Sequence, residues 1–243
     1  MKGKPQFVAA AQKSTVSFTD EETEYARLVT RVVSQIVPGL ARALAPRTEV
    51  VLHDLTKFPN SIVAIENTIT GRSLGGPPTD LGMKTLGSEP PDDLIGYRTE
   101  LPSGQVLKSS SLFFRAPVTG RTVAALCINA DIDHIMRAQE VLATLGFPLH
   151  QQGVGEPEDA PRETFPESVD VLARSILRDA IAASGVSVDL MKKSHKMNVV
   201  RELDERGFFT LRESIDLAAK GLRVSRYSIY NYLREFQESK SGS

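Results

Sequence analysis

The chain has 243 residues, 41% hydrophobic and 24% charged, with a formal net charge of −1 at pH 7. These proportions fit one large or two ordinary globular domains and exclude a disordered or fibrous chain. A lone cysteine, Cys127, excludes an intrachain disulfide, which makes a reducing cytoplasmic compartment the expectation, and no apolar run approaches the roughly 20 residues that span a membrane.

Residues 1–19 have a weakly basic start and no sustained apolar stretch, and read as a disordered leader. Helical periodicity begins at Asp20, which can cap. Glu21 and Glu22 favour the positive end of the helix dipole, and Leu28, Val32, Ile36 and Leu40 share a face. Pro38 divides this stretch into two helices. Beyond Pro46, "TEVVLHDL" and "SIVAIENT" predict two strands around the turn cluster "TKFPN". A Gly/Pro-dense connector follows, with room for short helices near Leu81–Leu86. Next come "IGYRTEL", "QVLKSSSLFFRAP" and "RTVAALCINAD", joined at Pro102-Ser103-Gly104 and Thr119-Gly120 as an antiparallel meander. Residues 132–148 return to helical spacing through Ile135, Ala138, Val141, Leu142 and Leu145. Residues 20–148 thus form a mixed domain, and the acidic, Gly/Pro-bearing 149–164 a linker. Residues 165–238 show only helices, near 166–184, 193–206, 211–221 and 225–237. The fold class is α+β: a PAS-like antiparallel sheet followed by an all-α helix-turn-helix domain.

Polar groups inside or beside the apolar strands are the candidate ligand contacts: His53, Asp54, Asn67, Thr79, Asp80, Lys108, Ser110 and Asn129. A pocket needs a few placed polar groups among apolar walls. An Asp/His/Ser set beside a lysine could hold a zwitterion such as an amino acid. Each has a plainer use: His53 and Asp54 bonding at a sheet edge, Ser109–Ser111 alternating outward, and Lys108 facing water.

Gly71-Arg72-Ser73-Leu74-Gly75 spells the G-x-S-x-G of a nucleophile elbow, but that motif needs a helix directly after the serine, and "GPPTD" stands there instead. Turn glycines, with Thr79 capping a short helix, are the better reading. One cysteine and four scattered histidines offer no zinc spacing, and no glycine-rich phosphate loop is present. No catalytic residues, metal or cofactor are expected, and the chain does not read as an enzyme.

From Lys192 onward there are 11 basic residues against 7 acidic ones, on an otherwise acidic body. Gly207 predicts a left-handed helix end, and Thr210-Leu211-Arg212-Glu213 a capping box opening the next helix. Leu211, Ile215, Ala218 and Leu222 form one stripe, and Ala219 lets two helices cross closely. Ser225 can cap the last helix, which faces inward with Ile229, Tyr232, Leu233 and Phe236. Its other face carries Arg226, Tyr227, Tyr230, Asn231 and Arg234, with no acid before Glu235. Arginine pairs with guanine and asparagine with adenine in the major groove, while Tyr, Ser and a helix N-terminus meet phosphate. Ser225, Arg226, Tyr227, Tyr230, Asn231 and Arg234 are therefore the candidate DNA contacts, with Lys220 and Arg223 beside the groove. The rival is a solvated cationic face whose tyrosines cover the core.

Two groups of strings carry a family likeness. "VVLHDL", "SIVAIEN", "TGRSLGGPPTDLG", "LKSSSLFFR" and "TVAALCINAD" resemble the YheO-like PAS domain of bacterial regulators. "VRELDERGFF" and "SRYSIYNYL" are similar to the helix-turn-helix that accompanies it. The resemblance implies a curved sheet with a ligand cavity under the connecting helices. It further implies a repressor that senses a small amino-acid-related effector and binds double-stranded operator DNA; one recognition helix contacts about half a site, so a homodimer is expected. In that family the turn generally reads Leu-Gly-Val-Ser; here it is Leu222-Arg223-Val224-Ser225. The glycine takes φ > 0, so Arg223 is expected in that conformation at about 1 kcal/mol, with a phosphate to meet its charge. Lys192 departs from the family's hydroxyl cap. The alternative is a sensor whose helical tail binds a protein rather than DNA.

Overall fold

The computed structural model describes residues 17–44, 47–84, 92–145 and 165–240, so most of the expected leader and the whole 149–164 linker lie outside the described residues. Helix α1 (Asp20–Val33) opens on Thr19 rather than Asp20. The Thr19 hydroxyl accepts the Glu22 amide at 3.1 Å, and the Glu22 carboxylate accepts the Thr19 amide at 2.9 Å. Pro38 falls in the first turn of α2 (Val37–Ala43), where its missing N–H costs nothing.

Strands β1 (Thr48–Asp54) and β2 (Ile62–Glu66) precede a one-turn helix α3 (Asp80–Lys84). The meander β3 (Leu94–Glu100), β4 (Val106–Arg115) and β5 (Thr122–Asp131) and helix α4 (Asp133–Thr144) follow. The sheet order is β2-β1-β5-β4-β3, every neighbouring pair antiparallel. One face packs on α2: Val50, Leu52 and Leu126 meet Val37 and Ala41. On the other face Glu49, Val51 and His53 stand opposite Asn129, Cys127 and Ala125, and those opposite Ser109, Ser111 and Phe113. The connector between β2 and α3 covers that second face.

The second domain contains α5 (Val169–Ala183), α6 (Lys193–Glu205), α7 (Ser214–Gly221) and α8 (Arg226–Lys240). They close around Leu172, Ile176, Val200, Leu203, Phe208, Ala218, Leu222 and Ile229. Gly207 ends α6 with φ 70°, as its position predicts. The capping box expected at Thr210–Glu213 does not form. Phe208 is fully buried, and the chain there turns as a 3-10 helix, Phe208–Thr210, with the Thr210 hydroxyl donating to the Gly207 carbonyl at 2.6 Å. Glu213 is itself left-handed, φ 61°, so α7 begins at Ser214 instead of near Leu211.

Candidate DNA-binding and ligand-facing sites

Helices α7 and α8 meet through the turn Leu222–Ser225. Arg223 adopts φ 52°, the left-handed conformation expected of it. The Leu222 amide bonds Ala218 O at 2.9 Å and the Val224 amide bonds Ala219 O at 3.0 Å, which closes the bend over a buried Ala219. The Ser225 hydroxyl accepts the Ser228 amide at 3.1 Å and so caps α8. A second small residue matters here for a reason the sequence pattern did not reveal. A Cβ at Gly221 would lie 2.7 Å from Leu177 Cδ2, so its absence lets α7 seat on α5.

The outward face of α8 is as drawn from the sequence: Tyr227 is 71% exposed, Tyr230 42%, Arg226 and Arg234 are exposed, and Asn231 is half-buried. Lys220, Arg223 and Ser225 lie exposed beside it. Two arginines have acidic neighbours that spacing could not announce. Arg226 Nε pairs with Asp216 at 3.1 Å, and Arg223 pairs with Asp189, 34 residues away in the chain. Both pairs are exposed, so they hold the side chains only loosely against a phosphate.

The connector-covered sheet face is polar to an unusual degree for a buried surface. Fully buried Glu49 accepts from the Thr70 amide, Asn129 Nδ2 and Arg72 Nη2, each at 3.0 Å, and Arg72 Nε donates to the Thr70 hydroxyl at 3.0 Å. Arg72 Nη1 is buried and has no partner among the described residues. The Phe165 ring lies 5.0 Å from the Arg72 guanidinium carbon. His53 Nδ1 lies 2.9 Å from the Ser61 hydroxyl. Burial, and then the charge of Arg72, push the His53 pKa down to about 3, so its imidazole is neutral at physiological pH. Toward β3, the Tyr97 hydroxyl pairs with Ser111 at 2.9 Å and Thr99 with Ser109 at 2.7 Å.

The YheO-like PAS domain family matches residues 23–146, and a helix-turn-helix domain family matches residues 172–234. The chain belongs to the YheO-like PAS family. The protein YheO of Escherichia coli K12 is 28% identical over 211 residues, spanning 83% of this chain and 82% of YheO. A Haemophilus influenzae protein is 24% identical over 225 residues, 92% of this chain and 96% of that relative. The transcriptional regulator DauR of Pseudomonas aeruginosa is 26% identical over 205 residues, 84% of this chain and 92% of DauR. No solved structure matches the chain at a significant level. The domain pair is that of a transcriptional regulator.

Within this YheO-like PAS domain the eight candidate ligand contacts part company. His53, Thr79 and Asn129 are buried on the connector side. Asp54 instead accepts from the Thr56 amide at 3.1 Å and hydroxyl at 2.6 Å and pairs with Lys57 at 3.1 Å, capping a 3-10 turn. Asn67 turns the chain at φ 57° and donates to Thr48 O. The Asp80 carboxylate lies 3.9 Å from Arg206 of the helical domain. Lys108 and Ser110 fall on the other sheet face, Lys108 exposed and Ser110 accepting the Gly96 amide. Ser109 and Ser111, expected to alternate outward, are the buried pair. In a run of three serines a one-residue change of parity exchanges the faces, and apolar residues at 112, 113 and 114 support either choice. Glu49 and Arg72 were the missed residues. Their signal was an acid within the apolar run "TEVVL" and an arginine in a connector rich in Gly, Pro and hydroxyls. Ser73 of the G-x-S-x-G string lies exposed in a turn, its carbonyl accepting the Gly76 amide at 3.0 Å.

Among the described residues no group of His, Cys, Asp and Glu could hold a metal ion, and no helix is long and apolar enough to cross a membrane.

Proposed function

We propose that the chain is a homodimeric, ligand-responsive repressor that binds double-stranded operator DNA with α8 and holds its small-molecule effector between the sheet and the connector. The observation that carries the reading is the outward face of α8. It follows a helix-turn-helix bend and presents Arg226, Tyr227, Tyr230, Asn231 and Arg234 with no acid of its own before Glu235. Arg226 and Asn231 are the base readers; Ser225, Lys220 and Arg223 meet phosphate. A repressor is the sign we infer: the effector releases the protein from its operator. One recognition helix covers half a site, so the operator is a palindrome read by two copies.

The similarity to the transcriptional regulator DauR supports the reading. A protein-binding tail would instead present apolar residues on α8, whereas this face is polar. Gel shifts on the DNA upstream of the gene test it. Salt-sensitive, sequence-selective binding is expected, weakened at least about thirtyfold in an Arg226→Ala/Asn231→Ala double variant, since each lost bidentate pair removes about 1–3 kcal/mol. Binding that survives the double variant, or that ignores sequence, overturns it.

A further inference from the structure

A cavity beneath α3 is bounded on one side by the sheet, through His53, Ser111, Ala125 and Cys127, and on the other by the α3 turn, through Thr79 and Leu81. Its free volume is about 10 Å³, room for no more than one water. Any organic molecule that enters must therefore move a wall. The sheet wall is the centre of a ladder: Ala125 stands opposite both His53 and Phe113, and Cys127 opposite both Val51 and Ser111. Shifting it breaks backbone hydrogen bonds on two sides at once. The other wall is five residues of helix.

Those five residues have a second attachment. Met83, 3% exposed, belongs to the core of the helical domain together with Phe208, Leu203 and Val200. Its methyl lies 3.8 Å from the place of a Cβ on Gly207. The Asp80 carboxylate sits 3.9 Å from Arg206, and Phe58, at the end of the β1–β2 turn, packs against the same core. The segment that roofs the cavity is thus also a plug in the DNA-binding domain.

Taking this cavity as the effector site, we propose that an effector enters it only by displacing α3, with Met83 and Asp80, from its present seat against the helical domain. The inference rests on the reading of the connector-covered face as a sensor and adds what an effector there must displace. Making room for a molecule one atom thick moves the turn by roughly 3.5–4 Å, a van der Waals diameter. That is enough to disrupt both the Met83 packing and the Asp80–Arg206 attraction. Effector binding and domain docking are competing states, and the coupling runs equally in both directions.

The ligand chemistry follows from the lining. None of its side chains is charged: His53 is neutral, and neither Glu49 nor Arg72 lines the cavity. The site takes a compact molecule with an apolar body against Leu55, Leu81 and Phe113 and hydrogen-bonding groups for His53, Thr79 or Ser111.

A side chain can serve as the occupant. In the full-length chain, Ala125→Leu adds three carbons to the sheet wall, and amide hydrogen exchange followed by mass spectrometry reads the response. The expected result is at least a fivefold acceleration both in residues 78–84 and across the domain boundary in 199–208, with the β1 and β5 ladder amides unchanged. Met83→Ala, which withdraws the plug from the opposite side, is expected to accelerate the same two segments. Cys127→Met fills the cavity from a second position should Ala125→Leu fail to fold. Acceleration confined to 78–84 overturns the proposal. Uniform acceleration of the sheet in both filled variants overturns it too, because the ladder would then have yielded before α3. Gel shifts on the same samples keep the two readings apart: exchange coupling without DNA binding removes the repressor and keeps the site, and the reverse result removes the site alone.

Discussion

Arg223 carries a backbone conformation that disfavours a β-carbon by about 1 kcal/mol, and its compensation is an ion pair with Asp189 whose partners are 68% and 62% exposed. Exposed pairs contribute from nothing to about 1 kcal/mol, so the pair does not fully offset the strain. Arg223→Gly is expected to raise stability by about 0.5 kcal/mol in urea unfolding, a balance of relieved strain against the lost pair. The same variant should lower the slope of log affinity against log salt by about one, the signature of one lost phosphate contact. Greater stability with an unchanged salt slope would mean that Arg223 never reaches DNA. His53 gives the other residue-scale expectation. Its pKa is about 3 when folded and about 6.5 in the unfolded chain, so between these values the unfolded chain takes up a proton that the native chain refuses. Stability therefore falls as pH drops from 6.5, by up to about 1.4 kcal/mol per unit from this group. Burial pushes the Glu22 carboxyl up, but the Thr19 amide, the Thr119 hydroxyl and Arg121 outweigh it and hold it below 4.5. That contribution is lost only as pH falls through 4.5 and below, which leaves pH 6.5 to 5 to His53. Urea midpoints across that window should decline in the parent chain and flatten in His53→Gln.

At the scale of the element, what could be read from the sequence was whatever a single period or a single turn residue dictates. The strands around "TKFPN", the break at Pro38, the left-handed Gly207 and Arg223 and the cap at Ser225 are all local events, settled within a few residues by backbone sterics. The misplaced start of α7 shows the limit. Thr210-x-x-Glu213 is a sound capping signal, yet burying Phe208 and Leu211 together demands a tighter turn there, and tertiary packing overrode it. The candidate site divides in the same way. The outward face of α8 follows from a 3.6-residue period and was legible, apart from the half-burial of Asn231. The ligand-facing surface depends on strand parity and on partners 20 to 80 residues apart, such as Glu49 with Arg72 and Asn129, and no local pattern encodes those. Asp54 and Asp80 were legible as polar residues out of place, but their roles, a cap and an interdomain pair, exist only once the chain is folded.

For the whole molecule the unresolved demand is α4. Its twelve residues include none that is buried, and Ile135, Leu142 and Leu145 are 43%, 41% and 67% exposed. An isolated helix of that length is marginal in water, so this one calls for a packing partner. Ile135, Ala138, Leu142 and Leu145 repeat at intervals of three, four and three, the seam of a two-helix contact. In the dimeric reading proposed above, a second copy of the same helix would supply the missing surface, and a palindromic operator would call for that second copy. Leu28 and Val32 on α1, with Ile36 just before α2, each more than half exposed, offer a further apolar surface. Light scattering after size exclusion is expected to give a dimer for the parent chain and a monomer for Leu142→Glu, because two carboxylates meeting across a two-fold seam disfavour it twice. The monomer should keep its ultraviolet signature of folded sheet and lose at least a hundredfold in operator affinity while retaining weak, non-specific binding. A Leu142→Glu chain that stays dimeric would assign the seam to α1, and Val32→Glu would then be the variant that separates the copies.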